Sequence, residues 1–171
     1  METFDAITSR RNIREYEDRP IPPESLERIL EAGRRTPSSA NQQRWDFVLV
    51  QDRERLARLS QVWRGAGHIA GAPAAIGLVA PHTDDWDTSR SIQYDLGQAT
   101  MSLMLAAADL GIGTAHASVS DQDLAREILG LPGDRELAWL MGLGFPADRP
   151  LRPIKNPSRR PFEEVVHREQ W

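Results

Sequence analysis

No cysteine occurs in the 171 residues. Disulfides, thiolate nucleophiles and cysteine metal sites are therefore excluded. Positive charge is also not in excess. The formal net charge is -4, which argues against general binding to nucleic acid or to an anionic membrane surface. The longest apolar run, around SLMLAAADLG, is too short and too interrupted to cross a bilayer. The opening METFDAITSRR has no apolar core like that of a signal peptide. The expectation is a soluble cytoplasmic protein with no membrane, nucleic-acid or metal partner. The four histidines, His68, His82, His116 and His167, lack metal-ligand spacing. Asp84, Asp85 and Asp87 in HTDDWD lack the glycine and distal glutamate of a calcium loop. There is no HExxH, GxSxG or Walker pattern. GIGTAHAS supplies Gly111 and Gly113 but no third glycine, and it follows a helical pattern where a dinucleotide loop follows a strand.

What is present describes an ordinary folded chain. Hydrophobic residues are 40% and charged residues 27%, enough apolar material for a real core in one domain, residues 1–171, or one subunit of an oligomer. ETFDAITS reads as a short helix packing Phe4 and Ile7 inward. PPESLERILEAGRR reads as a helix started by Pro22 and Pro23, with Leu26, Ile29, Leu30 and Gly33 on one face. DFVLVQ, AAIGLVA, IGTAHASV and ELAWLMGLGFP read as strands. Asp52 caps a helix with Leu56, Leu59 and Trp63 at helical spacing. The longest helix is expected over about residues 91–110, with Ile92, Leu96, Ala99, Leu103, Ala107 and Leu110 inward and Gly111 ending it. Ser120 and Asp123 suggest a capping box for the helix in SDQDLAREILG. PHTDDWDTS reads as a polar, mobile loop, and the segment from about residue 147 to 171 as a proline-rich arm wrapping over its own surface or a partner's. The alternation of helix and strand implies an α+β, three-layer fold around one sheet.

Four stretches offer chemistry. In SRRNIR, Arg10, Arg11 and Arg14 place guanidinium forks where they can meet a phosphate, with Asn12 as a further donor. A charge cluster this short is by itself more often a solvated turn. In RTPSSANQQRW, Ser38, Ser39, Asn41, Gln42 and Gln43 offer a hydrogen-bonding edge and Trp45 either an apolar wall or a core residue. His116 alone in an apolar strand is more often a hydrogen-bonded core residue than a catalyst. Arg159 and Arg160 form a second basic pair near the other terminus, and two separated arginine clusters in an acidic chain suggest one anionic ligand clamped from both sides.

Together these stretches resemble the nitroreductase-like family of FMN-dependent oxidoreductases. SRRNIREYEDRPIP is similar to that family's amino-terminal signature and TPSSANQQRWDF to its second. YDLGQATMSLMLAAADLGIGTAHAS, GLGFPADRP and RRPFEEVVH resemble its later blocks, in order, over nearly the whole chain. The resemblance implies a mixed, mostly antiparallel sheet flanked by helices, and an intertwined homodimer with an exchanged C-terminal arm. It implies FMN at the dimer interface, with NADH or NADPH as donor and a nitroaromatic, quinone or similar small acceptor, in ping-pong hydride transfer through flavin N5. The alternative it leaves open is a flavin- or deazaflavin-binding protein with a specialised reaction or no turnover. By position, Arg10 and Arg11 hold the phosphate, helped by Arg159 and Arg160, and Asn12 serves the phosphate or ribityl chain. Arg14 lies nearer the ring. Pro37, Ser38, Ser39 and Asn41, with Arg35 beside them, come from the other subunit. The backbone of His116, Ala117 and Ser118 meets the ring. No side chain is assigned a catalytic role. Asn12 stands where serine is commoner, and Arg44 where the second signature has proline.

Overall fold

One strand dictates the layering. β2 (Ala74–Pro81) is buried at every position but its last, so it must be covered on both faces. The computed structural model describes residues 1–171. Around β2 it places α1 (Thr3–Ser9), α2 (Pro23–Arg34), β1 (Asp46–Val50), α3 (Arg53–Leu59), α4 (Trp86–Asp109), β3 (Gly113–Ala117), α5 (Gln122–Leu129) and β4 (Arg135–Gly144). The sheet order is β1-β2-β4-β3 and every strand pair is antiparallel. Within the expected mixed, mostly antiparallel sheet, the parallel element is a single bridge between Asn12 and Thr114.

Strand alternation sorts the core into two halves. Ala74, Ile76, Leu78 and Ala80 join Leu26, Ile29, Leu96 and Leu103 of α2 and α4. Ala75 and Val79 face the other way, toward Leu56 and Leu59 of α3 and Ile128 of α5. The register slips between Leu78 and Val79. That slip lets Ala138 and Trp139 both pack toward the α2–α4 side, while Leu137 and Leu140 both face α3 and α5. Each fully buried leucine contributes on the order of 2 kcal/mol. The result is three layers, two helices on each face of the sheet.

Several local expectations are corrected. α1 forms, but Phe4 and Ile7 point outward, 74% and 49% exposed, and the small Ala6 and Ser9 face the body. Close approach to α4 selects small residues at that seam. α4 begins at Trp86, because the Asp85 carboxylate accepts the Thr88 N–H at 2.8 Å and caps it within the stretch expected to be a loop. α3 stops at Leu59, leaving Trp63 outside it. Asp121 caps α5 through the Leu124 N–H. Ser120 instead donates its hydroxyl to Val62 O, so the Ser120–Asp123 box does not form. Beyond residue 151 every residue of the arm is exposed, with a single 3-10 turn at Phe162–Glu164.

The arginine segment is locked down between its charges. Ile13 is fully buried, its N–H donates to Thr114 O at 2.9 Å, and its side chain lies against Gly113. A Cβ on Gly113 meets Ile13 Cβ at 2.6 Å, and neither atom can move without shifting backbone. Gly113→Ala is therefore expected to cost about 2 kcal/mol, read as a lowered midpoint in denaturant titration, with Gly133→Ala, where a Cβ meets nothing, as the mild control.

Candidate functional site

The functional groups gather on the two sides of α4. Along that helix Arg90, Gln93, Tyr94, Gly97 and Met101 form an exposed stripe at three- and four-residue spacing. A cleft of about 420 Å³ opens on one side, lined by Arg10, Gln93, Gly97, Met101, His116 and Trp139 among others. Arg10 reaches it from the C-terminal end of α1. Trp139 Nε1 donates to Gln93 Oε1 at 3.1 Å, which fixes the indole as a wall. His116 stands edge-on to that indole, with ring centroids 5.9 Å apart.

The second cleft, of about 530 Å³, lies beside Pro37, Ser38 and Ser39, facing Arg90, Tyr94 and Asp95 of α4. Its loop is tightly wound. Ser38 Oγ accepts the Gln43 N–H at 2.9 Å, and Gln43 Nε2 donates to Asn41 O at 3.2 Å. Ala40, Asn41 and Gln43 hold left-handed φ values of 48°, 55° and 48°. Each costs on the order of 1 kcal/mol for a residue other than glycine, so the surroundings must enforce the shape. The Ser39 N–H donates to both oxygens of Asp95, at 3.2 and 3.0 Å. Trp45 belongs to the core, not to the wall of the loop.

Other residues of interest are distributed unevenly. Arg11 turns away from the first cleft toward the arm. It donates through Nη2 to Arg152 O at 2.8 Å and borders a separate cavity of about 440 Å³ with Arg152 and Lys155. Its Nε is buried with no partner, and none of these three cations pairs with a carboxylate within the chain. Asn12 and Arg14 are exposed, Ala117 is buried and Ser118 is half-buried. Arg35 is bound to Glu31 at 2.6 Å. Arg159 donates to Ser158 O and Arg160 pairs with Glu164, both on the exposed arm. Reading the sequence missed Gln93, Tyr94, Asp95, Met101 and Trp139. The outward positions of α4 carried the signal: a tyrosine, a glycine and a methionine at i, i+3 and i+7 on a face that the helix does not bury.

Two histidines stand at this end of the sheet, His116 on β3 and His68 against Ala115. Burial pushes the His116 imidazole below its ordinary value, and the guanidinium groups of Arg10 and Arg14 lower it further. His68 is lowered first by burial, with Arg14 and His116 adding to the effect. Its Nε2 lies 3.1 Å from Ala115 O, so that nitrogen carries the proton, and Nδ1 is buried without a partner. Tyr16 fills the space over Gly142 and Gly144 and donates to Ile13 O at 2.8 Å. Burial pushes its phenol upward.

A three-layer α+β fold with a cationic cleft and a serine loop on opposite sides of one long helix defines a ligand-binding class. Its relatives in sequence and structure narrow that class. The sequence pattern of the nitroreductase family matches residues 7–87 and 68–145, and the chain belongs to that family. It is 34% identical to an Archaeoglobus fulgidus protein provisionally named NADH dehydrogenase/NAD(P)H nitroreductase, covering 99% of each. It is 33% identical to the FMN reductase [NAD(P)H] of Bacillus subtilis, over 99% of this chain and 74% of that one. Among solved structures, the FMN-dependent nitroreductase of Clostridium difficile R20291 superposes with a TM-score of 0.86 at 26% identity, over 98% of this chain and 99% of that one. The NADPH:FMN oxidoreductase of Vibrio harveyi, complexed with NAD+, gives 0.87 at 25%, over 99% and 77%.

Both histidines bind protons less readily folded than unfolded, from an ordinary value of 6.5. The unfolded chain then takes up more protons on acidification, so stability falls as pH drops below about 6.5. The thermal midpoint is expected to decline as pH falls below about 6.5, and His68→Gln, which keeps a donor for Ala115 O, is expected to flatten that decline.

Proposed function

We propose that this chain is an FMN-dependent NAD(P)H oxidoreductase acting as a homodimer, with residues 1–171 as one FMN-binding domain and 147–171 as an arm laid over the partner. One observation carries the reading: two clefts, one cationic and one built from a serine loop, border the same exposed stripe of α4. Pairing that stripe with its copy brings the cationic cleft of one subunit toward the loop of the other. Phe4, Ile7, Tyr94 and Met101 are exposed in the single chain, as are Phe162, Val165 and Val166 of the arm. A second copy gives these apolar groups cover.

The residues fit FMN. A phosphate needs cations without competing carboxylates. Arg11, with Arg152 and Lys155 beside it, offers this, and its buried Nε lacks an acceptor. In this reading Arg10 binds the phosphate, Arg11 joins it once its guanidinium leaves Arg152 O, Arg159 and Arg160 close over it from the arm, and Asn12 serves the phosphate or ribityl chain. Arg14 places its charge near the ring. The backbone of His116, Ala117 and Ser118 supports the ring's edge. Pro37, Ser38, Ser39 and Asn41 arrive from the other subunit, with Arg35 joining them if it leaves Glu31. When bound, FMN supplies hydride transfer from NADH or NADPH to a nitroaromatic, quinone or similar small acceptor, in ping-pong order. The chain's contribution is to bind, to orient and to exclude water, so no side chain has to act as nucleophile or base.

Purified protein is expected to be yellow, with flavin absorption bands, and to run at twice its 19.2 kDa chain mass. A colourless protein that takes up no added FMN would end the flavin reading, and a 19.2 kDa particle the shared-site reading. Arg10→Ala is expected to weaken FMN binding about tenfold or more by loss of a charge-assisted contact. The same change should leave the thermal midpoint of the FMN-free protein near wild type, since Arg10 lies beyond the last turn of α1.

A further inference from the structure

Asp95 is the one acidic residue in the buried set, 3% exposed and with no cation paired to it. A carboxylate so placed loses its hydration and must be compensated by hydrogen bonds. The compensation it has is a single backbone donor, the Ser39 N–H, reached by both of its oxygens. That donor opens the wound loop whose Ala40, Asn41 and Gln43 are left-handed. The other hydrogen bonds of residues 37–44 are local, tying Ser38, Ser39, Asn41, Gln42, Gln43 and Trp45 to one another. Ser39 to Asp95 is thus the one hydrogen bond between the loop and a distant part of the chain, 56 residues away. It lands on the buried side of α4, which is fixed by Leu96 and Ile92 in the core.

We infer that Asp95 is the positioning residue of the Pro37–Asn41 loop: its carboxylate holds the strained loop on α4 in the shape that presents Ser38, Ser39 and Asn41 to the cofactor. The inference rests on the reading that this loop forms part of the FMN site. Asp95 itself touches no cofactor and acts through the Ser39 backbone. An acceptor oxygen buried on a helix that the core holds in place meets little competition from water, so this one hydrogen bond can hold the three left-handed residues in a shape they would otherwise leave.

The test uses Asp95→Ala and Asp95→Asn in the full chain. Asparagine keeps the shape and one acceptor oxygen, and so serves as the rescue variant. Amide exchange is measured at residues 39–43 and along β2 and β4, and FMN affinity by fluorescence titration of the FMN-free protein. Asp95→Ala is expected to speed exchange at 39–43 at least tenfold with β2 and β4 unchanged, and to weaken FMN binding about tenfold. Asp95→Asn is expected to recover most of both. Unchanged exchange at Ser39 in Asp95→Ala overturns the anchor. Faster exchange with undiminished FMN affinity overturns the presentation of the loop to the cofactor. Should Asp95→Ala fail to fold, Asp95→Asn carries the same readings: full loss of FMN affinity despite its intact amide protection overturns the inference. If wild-type protein binds no FMN at all, the functional reading falls, whereas the exchange result still decides whether Asp95 anchors the loop.

Discussion

The packing of α4 on the sheet is the constraint on which the rest depends. A helix of 24 residues cannot turn every face to one layer. α4 gives Ile92, Leu96, Ala99, Leu103 and Ala107 to the core and leaves Gln93, Tyr94, Gly97 and Met101 outside. The inward face sets the distance between sheet and helix. The outward face then supplies a wall to each cleft, so the two candidate half-sites are placed by the same element. A shift in the pitch of α4 on the sheet moves both together, which keeps their separation constant while the rest of the surface varies.

The charge pattern follows from this placement. An acidic chain concentrates arginine where the first turns of its path cross the end of β3, and Ile13 pins that crossing through Thr114. The cations are held close to one another by backbone bonds rather than by acidic partners. Their mutual repulsion is the cost of having a field ready before an anion arrives.

Much of this was legible in the sequence, and the failures have physical causes. The four strands and the inward faces of α2 and α4 followed from periodicity, because burial imposes it. Phe4 and Ile7 misled because apolar spacing says that a face is covered, not by what; within one chain that face is bare. Asp85, Asp87 and Trp86 looked like loop because their polarity reflects an exposed first turn, and the cap is visible only as a bond to Thr88. For the site, the arginine and serine stretches announced themselves by composition. Asp95 did not, since a lone aspartate inside a helix looks like a solvated residue until its burial and its bond to a loop 56 residues away are seen.

The sheet order carries a consequence for how the chain acquires its structure. β2 is central, yet its second neighbour is β4 and not β3. Between β2 and β4 the ribosome must deliver α4, β3 and α5. Until β4 emerges, the most apolar strand of the protein has one complete edge of unpaired backbone, and long-range pairing of this kind forms slowly. During that interval AAIGLVA is an open template for other chains. The growing α4, laid across one of its faces, is the cover that this architecture offers during synthesis.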